Sequence, residues 1–234
     1  MNLGELFTKL SHTHLSNLAI GSDGAGTVPT DKRAQLISHI NESLLRIFTR
    51  FVLYEKSLIL ETTSSRVNYP LEARYAQSSG SDEAHKYIMD LNPSERFTGD
   101  VLKILEVYNN FGARFVLNDV EDFWSLFTPQ PNVLQVPHPQ NGQAFAVQYQ
   151  ARHPIIAPNA TNDFPLLVPA YLEGALTSCV GAAVIGSMNG QDNLLKQQSL
   201  MAEYEGICLD IESKDLPNLT VSTTNTKFAK RGFR

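Results

Sequence analysis

The residues of this 234-residue chain best equipped for catalysis or metal binding are six histidines, two cysteines and 24 acids, and few of them fall at a working spacing. His12 and His14 are two apart, which suits neither face of a helix for joint metal ligation. His138 lies between two prolines, His153 precedes Pro154, and His39 and His85 stand alone. None pairs with a cysteine or carboxylate at a metal-ligand interval, so no metal is expected. Cys179 and Cys208 have no basic neighbour to favour a thiolate and read as small buried apolar residues. The acids Asp82-Glu83 and Glu121-Asp122 are adjacent pairs, and adjacent residues on a helix do not face each other. There is no Gly-x-Ser-x-Gly elbow, His-Glu-x-x-His run or dinucleotide fingerprint. Gly21-Ser-Asp-Gly-Ala-Gly26 lacks the Lys-Ser/Thr of a phosphate loop and reads as a flexible connection. The expectation is a protein without enzymatic activity or cofactor. The alternative, a cell-wall hydrolase, requires carboxylates such as Asp163 or Glu173 to meet through the fold.

Two features point to binding instead. Phe123-Trp124-Ser-Leu-Phe127, with Phe111 and Phe115 nearby, is either junction packing or an aromatic contact surface formed by Phe123, Trp124 and Phe127. The second is the end of the chain. The net charge is −5, but residues 1–215 hold 15 cations and 24 acids, or −9, whereas residues 216–234 hold four cations and no acid, or +4. In this tail, Phe228 and Phe233 are candidate anchors, and Lys227, Lys230, Arg231 and Arg234 are candidate partners for acidic groups. The acidic body argues against a protein whose main task is coating nucleic acid.

The elements that must carry these features follow from periodicity. Leu, Ile, Val and Phe make up 66 residues, enough for a sizeable core. Leu3, Leu6, Phe7 and Leu10 have helical spacing. Thr30 is placed as the N-cap of a helix whose stripe is Leu36, Ile37, Ile40, Leu44, Ile47, Phe48 and Phe51. Strands are expected at 56–63, 67–71 and 101–108, the last turning through Asn109–Gly112 into a hairpin with 113–118. A second hairpin is expected between 133–136 and 144–150, around Pro137–Gly142. Ala170–Gly186, rich in small residues, and about Gln191–Ile211 form a helical hairpin, with Leu194, Met201, Tyr204, Cys208 and Ile211 on one face of the second helix. Leu166–Gly186 is apolar, but Pro169 and Glu173 interrupt it, so it reads as a buried helix and not a membrane span. No secretory signal is visible, because an acid, Glu5, stands where a basic leader would be.

The expected fold is α+β: a bundle of N- and C-terminal helices with an inserted antiparallel β-rich module and an extended C-terminal tail. Its parts are the N-terminal helices at 1–52, the module at 53–155, the helical hairpin at 156–215 and the docking tail at 216–234.

Four stretches of this order resemble a known family. They are Leu3-Gly-Glu-Leu-Phe7; the helix Ala34–Phe51; Val133-Leu-Gln-Val-Pro-His-Pro-Gln-Asn-Gly142 followed by Phe145-Ala-Val-Gln-Tyr-Gln150 and His153-Pro154; and Phe164-Pro-Leu-Leu-Val-Pro169 running into Tyr171-Leu-Glu-Gly-Ala-Leu176. Together they resemble the head-to-tail adaptor, or connector, proteins of short-tailed bacteriophages, the tail tubular protein A type. The resemblance implies a structural virion protein of the tail neck, assembled in the host cytoplasm. Such proteins form a ring, usually dodecameric, beneath the portal. They bind tail tube or nozzle proteins on the other side and enclose the channel through which double-stranded DNA passes without sequence readout. The resemblance also implies that the basic tail docks on the portal. A tail-completion or stopper protein is the neighbouring alternative.

Overall fold

In the computed structural model, residues 1–16, 18, 20, 25–91, 96–188, 190–214 and 216 are described. The chain is mixed α+β, with four α-helices and two antiparallel sheets among these residues. Contacts divide it into two units. Met1–Ser43 and the residues from Ala157 onward form a helical unit, and Leu44–Ile156 form a strand-bearing one.

In the helical unit, α1 (Leu3–His12) begins with a capping box. The Asn2 side chain accepts the Glu5 amide at 2.8 Å, and the Glu5 carboxylate accepts the Asn2 amide at 2.9 Å. The expected apolar positions Leu3, Leu6, Phe7 and Leu10 are all buried. The start of the chain pairs with the segment around Phe164: Leu3 N–H donates to the Phe164 carbonyl and Gly4 N–H to that of Asn162, at 3.0 and 2.8 Å. A Cβ at Gly4 would meet the Asn162 Cβ at 3.0 Å, so only glycine allows that approach without displacement. Two of the stretches that carry the family resemblance are therefore one local structure.

The helix α2 (Thr30–Arg50) buries its whole predicted stripe, Leu36 to Phe51. Its start differs from expectation. Thr30 is already helical, and the Pro29 carbonyl receives the Lys32 and Arg33 amides at 3.0 and 3.1 Å. Pro29 thus stands in the cap position, one residue before the expected Thr30.

Near the C-terminus, the short turn Ala170–Leu172 leads into α3 (Glu173–Gly186), followed by α4 (Gln191–Ser213). The two run antiparallel. A Cβ on Gly186 would meet Gln197, one on Gly181 would meet Leu200, and one on Gly174 would meet Ile207. Small residues let the backbones approach, which offsets the roughly 1 kcal/mol each glycine costs in a helix. The buried face of α4 is Leu200, Tyr204, Cys208 and Ile211, whereas Leu194 is exposed. The α4 stripe therefore runs through Leu200 and not Leu194. Cys179 and Cys208 are both buried. No described helix is long and apolar enough to cross a membrane.

In the strand-bearing unit, a four-stranded sheet has the order β3–β1–β7–β4, with β1 Glu55–Glu61, β3 Ile88–Met89, β4 Val101–Asn109 and β7 Ala144–Ala151. A three-stranded sheet has the order β2–β6–β5, with β2 Asn68–Pro70, β5 Phe127–Gln130 and β6 Val133–Gln135. Both edge strands of this smaller sheet contain a proline, Pro70 and Pro129. Both expected hairpins need correction. The hairpin through Asn109–Gly112 forms but is short: Asn109 N–H donates to the Ala113 carbonyl at 2.9 Å and Phe115 N–H to that of Val107 at 2.8 Å, around a bridge of Tyr108 with Arg114, after which Leu117 bridges Leu126 instead, and the long partner of β4 is β7. The second pair is not a hairpin at all. β6 belongs to the small sheet, and β7 is central in the large one with β1 and β4 on its two sides. Both hydrogen-bonding edges of β7 are thus taken, and Pro137–Gly142 carries the chain from one sheet to the other. The core between these strands includes Leu60, Tyr69, Ile88, Val107, Leu134, Phe145 and Val147. Gln150 on β7 donates to the Phe48 and Phe51 carbonyls, which caps the end of α2. His153 packs edge-on against Phe48 at 5.3 Å between ring centres.

Candidate partner surface

Residues 116–128 form a loop that displays two rings while fixing its own backbone. Asn118, the one described non-glycine residue with positive φ (60°), turns the chain. Its side-chain oxygen accepts the Thr128 amide at 2.8 Å, and its own amide donates to the Leu126 carbonyl at 2.8 Å. Asparagine tolerates this left-handed conformation better than most residues. Asp119 and Asp122 each accept a backbone amide two residues on, from Glu121 at 3.0 Å and from Trp124 at 2.9 Å. Ser125, fully buried, accepts the Asp119 amide at 3.0 Å. Leu126 N–H closes the base on the Val116 carbonyl at 3.0 Å.

What this frame presents is apolar. Phe123 is 64% and Trp124 63% exposed. Their rings meet edge to face at 5.1 Å. The His138 ring lies nearly parallel on Phe123, 4.1 Å away and tilted by 19°. Val120 on the same loop and Phe111 at the tip of the β4 turn are each 88% exposed. The Phe111 turn is fixed in the same way, with the Asn109 side chain accepting the Phe111 and Ala113 amides at 2.9 and 2.8 Å and Gly112 in the left-handed region. Exposed rings on a rigid frame lose little conformational freedom on binding, and tryptophan is prominent among residues that dominate interfaces.

Of the three aromatic residues singled out from sequence, Phe123 and Trp124 come together in solvent. Phe127 is half-buried at the start of β5 and is not one of the exposed rings. Phe115 also turns inward, onto Phe145 at 5.3 Å. His138 joins the pair, and Val120 and Phe111 are further exposed apolar side chains of the same unit. The signal for His138 was the proline on either side of it, which fixes the position of a turn residue but does not show what it touches. The tail residues Lys227, Phe228, Lys230, Arg231, Phe233 and Arg234 lie outside the described residues, as do Gly21–Gly24 of the glycine-rich stretch.

The acid-base candidates are engaged in structural contacts or stand in solvent. Glu173 is ion-paired with Lys9, and Asp163 is exposed. A recess of the helical unit, about 710 Å³, is lined by Phe7, Lys9 and Arg33 among others, with Arg33 lying over the Phe7 ring and donating to the Ala160 carbonyl at 2.6 Å. In the strand-bearing unit, the buried Asp90 carboxyl is pushed up by desolvation but held below its ordinary value by hydrogen bonds from Ser78 and from the Phe97 amide. Its role is to pin the segments on either side of β3. Asp100 is ion-paired with Lys56 at 2.6 Å and accepts the Tyr149 hydroxyl at 3.1 Å. Among the described residues, no group of three or more His, Cys, Asp or Glu side chains converges as a metal site would require. No protein-family model and no curated protein matches the chain in sequence.

Proposed function

We propose that this chain is a non-enzymatic, ring-forming head-to-tail adaptor of a short-tailed bacteriophage. In this reading the ring joins the portal to the tail tube or nozzle and encloses the DNA channel. In the same reading the terminal helices form a bundle, and the β-rich module is inserted between its halves along the chain. The observation that carries the proposal is the pinned, solvent-facing Phe123–Trp124 pair. A subunit of a ring must offer different surfaces to its two neighbours, and the helical unit has its own exposed leucines, the adjacent Leu194 and Leu195 near the start of α4. The acidic body, −9 over residues 1–215, suits a channel through which DNA must slide without being held. The acid-free tail suits capture by an acidic groove on the portal.

The test is truncation before Leu219. The shortened protein keeps its circular dichroism spectrum and melting behaviour but no longer co-purifies with the portal protein of the same genome. Undiminished portal capture by the truncated chain would refute the tail assignment.

A further inference from the structure

We propose that the Phe123–Trp124 knob of one copy seats in a recess beside β4 and β5 of a second copy. The inference rests on the ring reading above and names the contact that would build the ring. The recess is an open one of about 380 Å³, within the ~300–1,000 Å³ range of clefts that take small-molecule ligands, and so has room for one indole. Its apolar wall comes from Leu102, Ile104, Pro129 and Pro131. The ladder between β4 and β7 shifts register between Val101 and Lys103, so Leu102 is the extra residue of a bulge, a device that re-aims side chains. The prolines add rigidity.

Charge agrees with shape. The knob loop, 117–126, carries Asp119, Glu121 and Asp122 and no cation. The recess is lined by one charged residue, the exposed Lys103, and no acid. An ammonium at the rim can meet both the loop carboxylates and the face of an inserted indole. The exposed Gln130 amide at the same rim can accept the indole N–H. The knob does not fill the recess of its own copy, because both its rings stand in solvent. Knob and recess are different surfaces, so the contact is head-to-tail and propagates, closing into a ring when the rotation allows.

The experiment measures assembly by sedimentation and native mass spectrometry for the full chain, Trp124→Ala, Lys103→Glu and an equimolar mixture of the two variants. Both substituted side chains are exposed, so folding is checked by melting temperature and is expected to be unchanged. Each variant alone should weaken assembly by roughly tenfold or more. The mixture should form 1:1 pairs that do not extend, because one partner brings an intact recess and the other an intact knob. Independently, copies carrying Val120→Cys mixed with copies carrying Gln130→Cys should form a disulfide-linked dimer that neither forms alone. Assembly by Trp124→Ala at the level of the unmodified chain overturns the proposal, as does loss with Trp124→Ala but not with Lys103→Glu, which assigns the knob to another occupant such as portal or tail protein. A chain that neither assembles nor cross-links also overturns it. Failure of the adaptor reading looks different: rings that form through this contact but bind no portal.

Discussion

Tyr69, Tyr75 and Tyr87 meet in the strand-bearing unit at ring separations of 4.8 and 5.1 Å, close to those of Phe123, Trp124 and His138 in the same unit. The tyrosines are buried, and the polar tips of Tyr69 and Tyr87 are satisfied. The Tyr69 hydroxyl accepts the Thr63 amide and reaches the Thr63 and Arg66 carbonyls, the Tyr87 hydroxyl donates to the Pro70 carbonyl, and the Arg66 guanidinium lies over both Tyr75 and Tyr87. Desolvation pushes the Tyr87 hydroxyl far up, so it stays a neutral donor. The second group has as many local hydrogen bonds, but they fix the backbone beneath the rings and leave the rings bare. Similar ring geometry therefore serves cohesion in one place and display in the other. What separates the two is whether the hydrogen bonds end on the side chains or on the loop that carries them.

The strongest way to break that contrast is to truncate a ring in each group. Tyr69→Ala removes a fully buried side chain and strands the Thr63 amide and the Arg66 carbonyl, so urea unfolding should show a loss of about 3–5 kcal/mol. Trp124→Ala should stay within about 0.5 kcal/mol of the parent, as exposed positions do. Equal losses at the two sites would mean that the displayed rings are structural.

Two helix glycines sharpen the same distinction in the helical unit. A Cβ on Gly181 would come within 2.9 Å of the His14 Cβ, and Gly181→Val should cost about 1–3 kcal/mol. Gly206 on α4 has nothing within 4 Å, and Gly206→Ala should stabilise by up to about 1 kcal/mol. Thermal melts of both variants decide the point.

The smallest effect is on pH. Burial lowers the pKa of His153 below its ordinary 6.5, partly opposed by the Pro154 carbonyl. The folded chain therefore resists a proton that the unfolded chain accepts. Stability is complete above about pH 6.5 and falls as pH drops through the window down to the lowered value. His14, also lowered chiefly by burial, acts in the same direction. His153→Phe should flatten part of this acid-side slope in denaturant titrations, and an unchanged slope would assign it to other groups.

The sequence made some elements legible and hid others for physical reasons. The α2 stripe was readable because seven apolar residues at helical spacing admit one buried face. The α4 stripe was not, because Leu194 and Leu200 both fit a helical period leading to Tyr204, and only packing selects Leu200. The longer strands β1, β4 and β7 were legible, but 113–118 makes only isolated bridges, the short β3 and β5 were not foreseen, and the partners were not readable. Alternation reports that a strand has an inner and an outer face, not which strand lies beside it, and β7 pairs with β1 from the far end of the unit. At the candidate surface, Phe123 and Trp124 were visible as residue types. Their exposure was not, because it depends on Asn118, Asp119, Asp122 and Ser125 spending their side chains on the backbone.

The prolines in the two edge strands of the small sheet bear on what can pair with it. A strand with a proline lacks one backbone donor and is a poorer template for another strand, and each edge strand of this sheet contains one. Pairing of a further strand along either edge of this sheet is thereby disfavoured, and the exposed surface of the unit is read through its side chains.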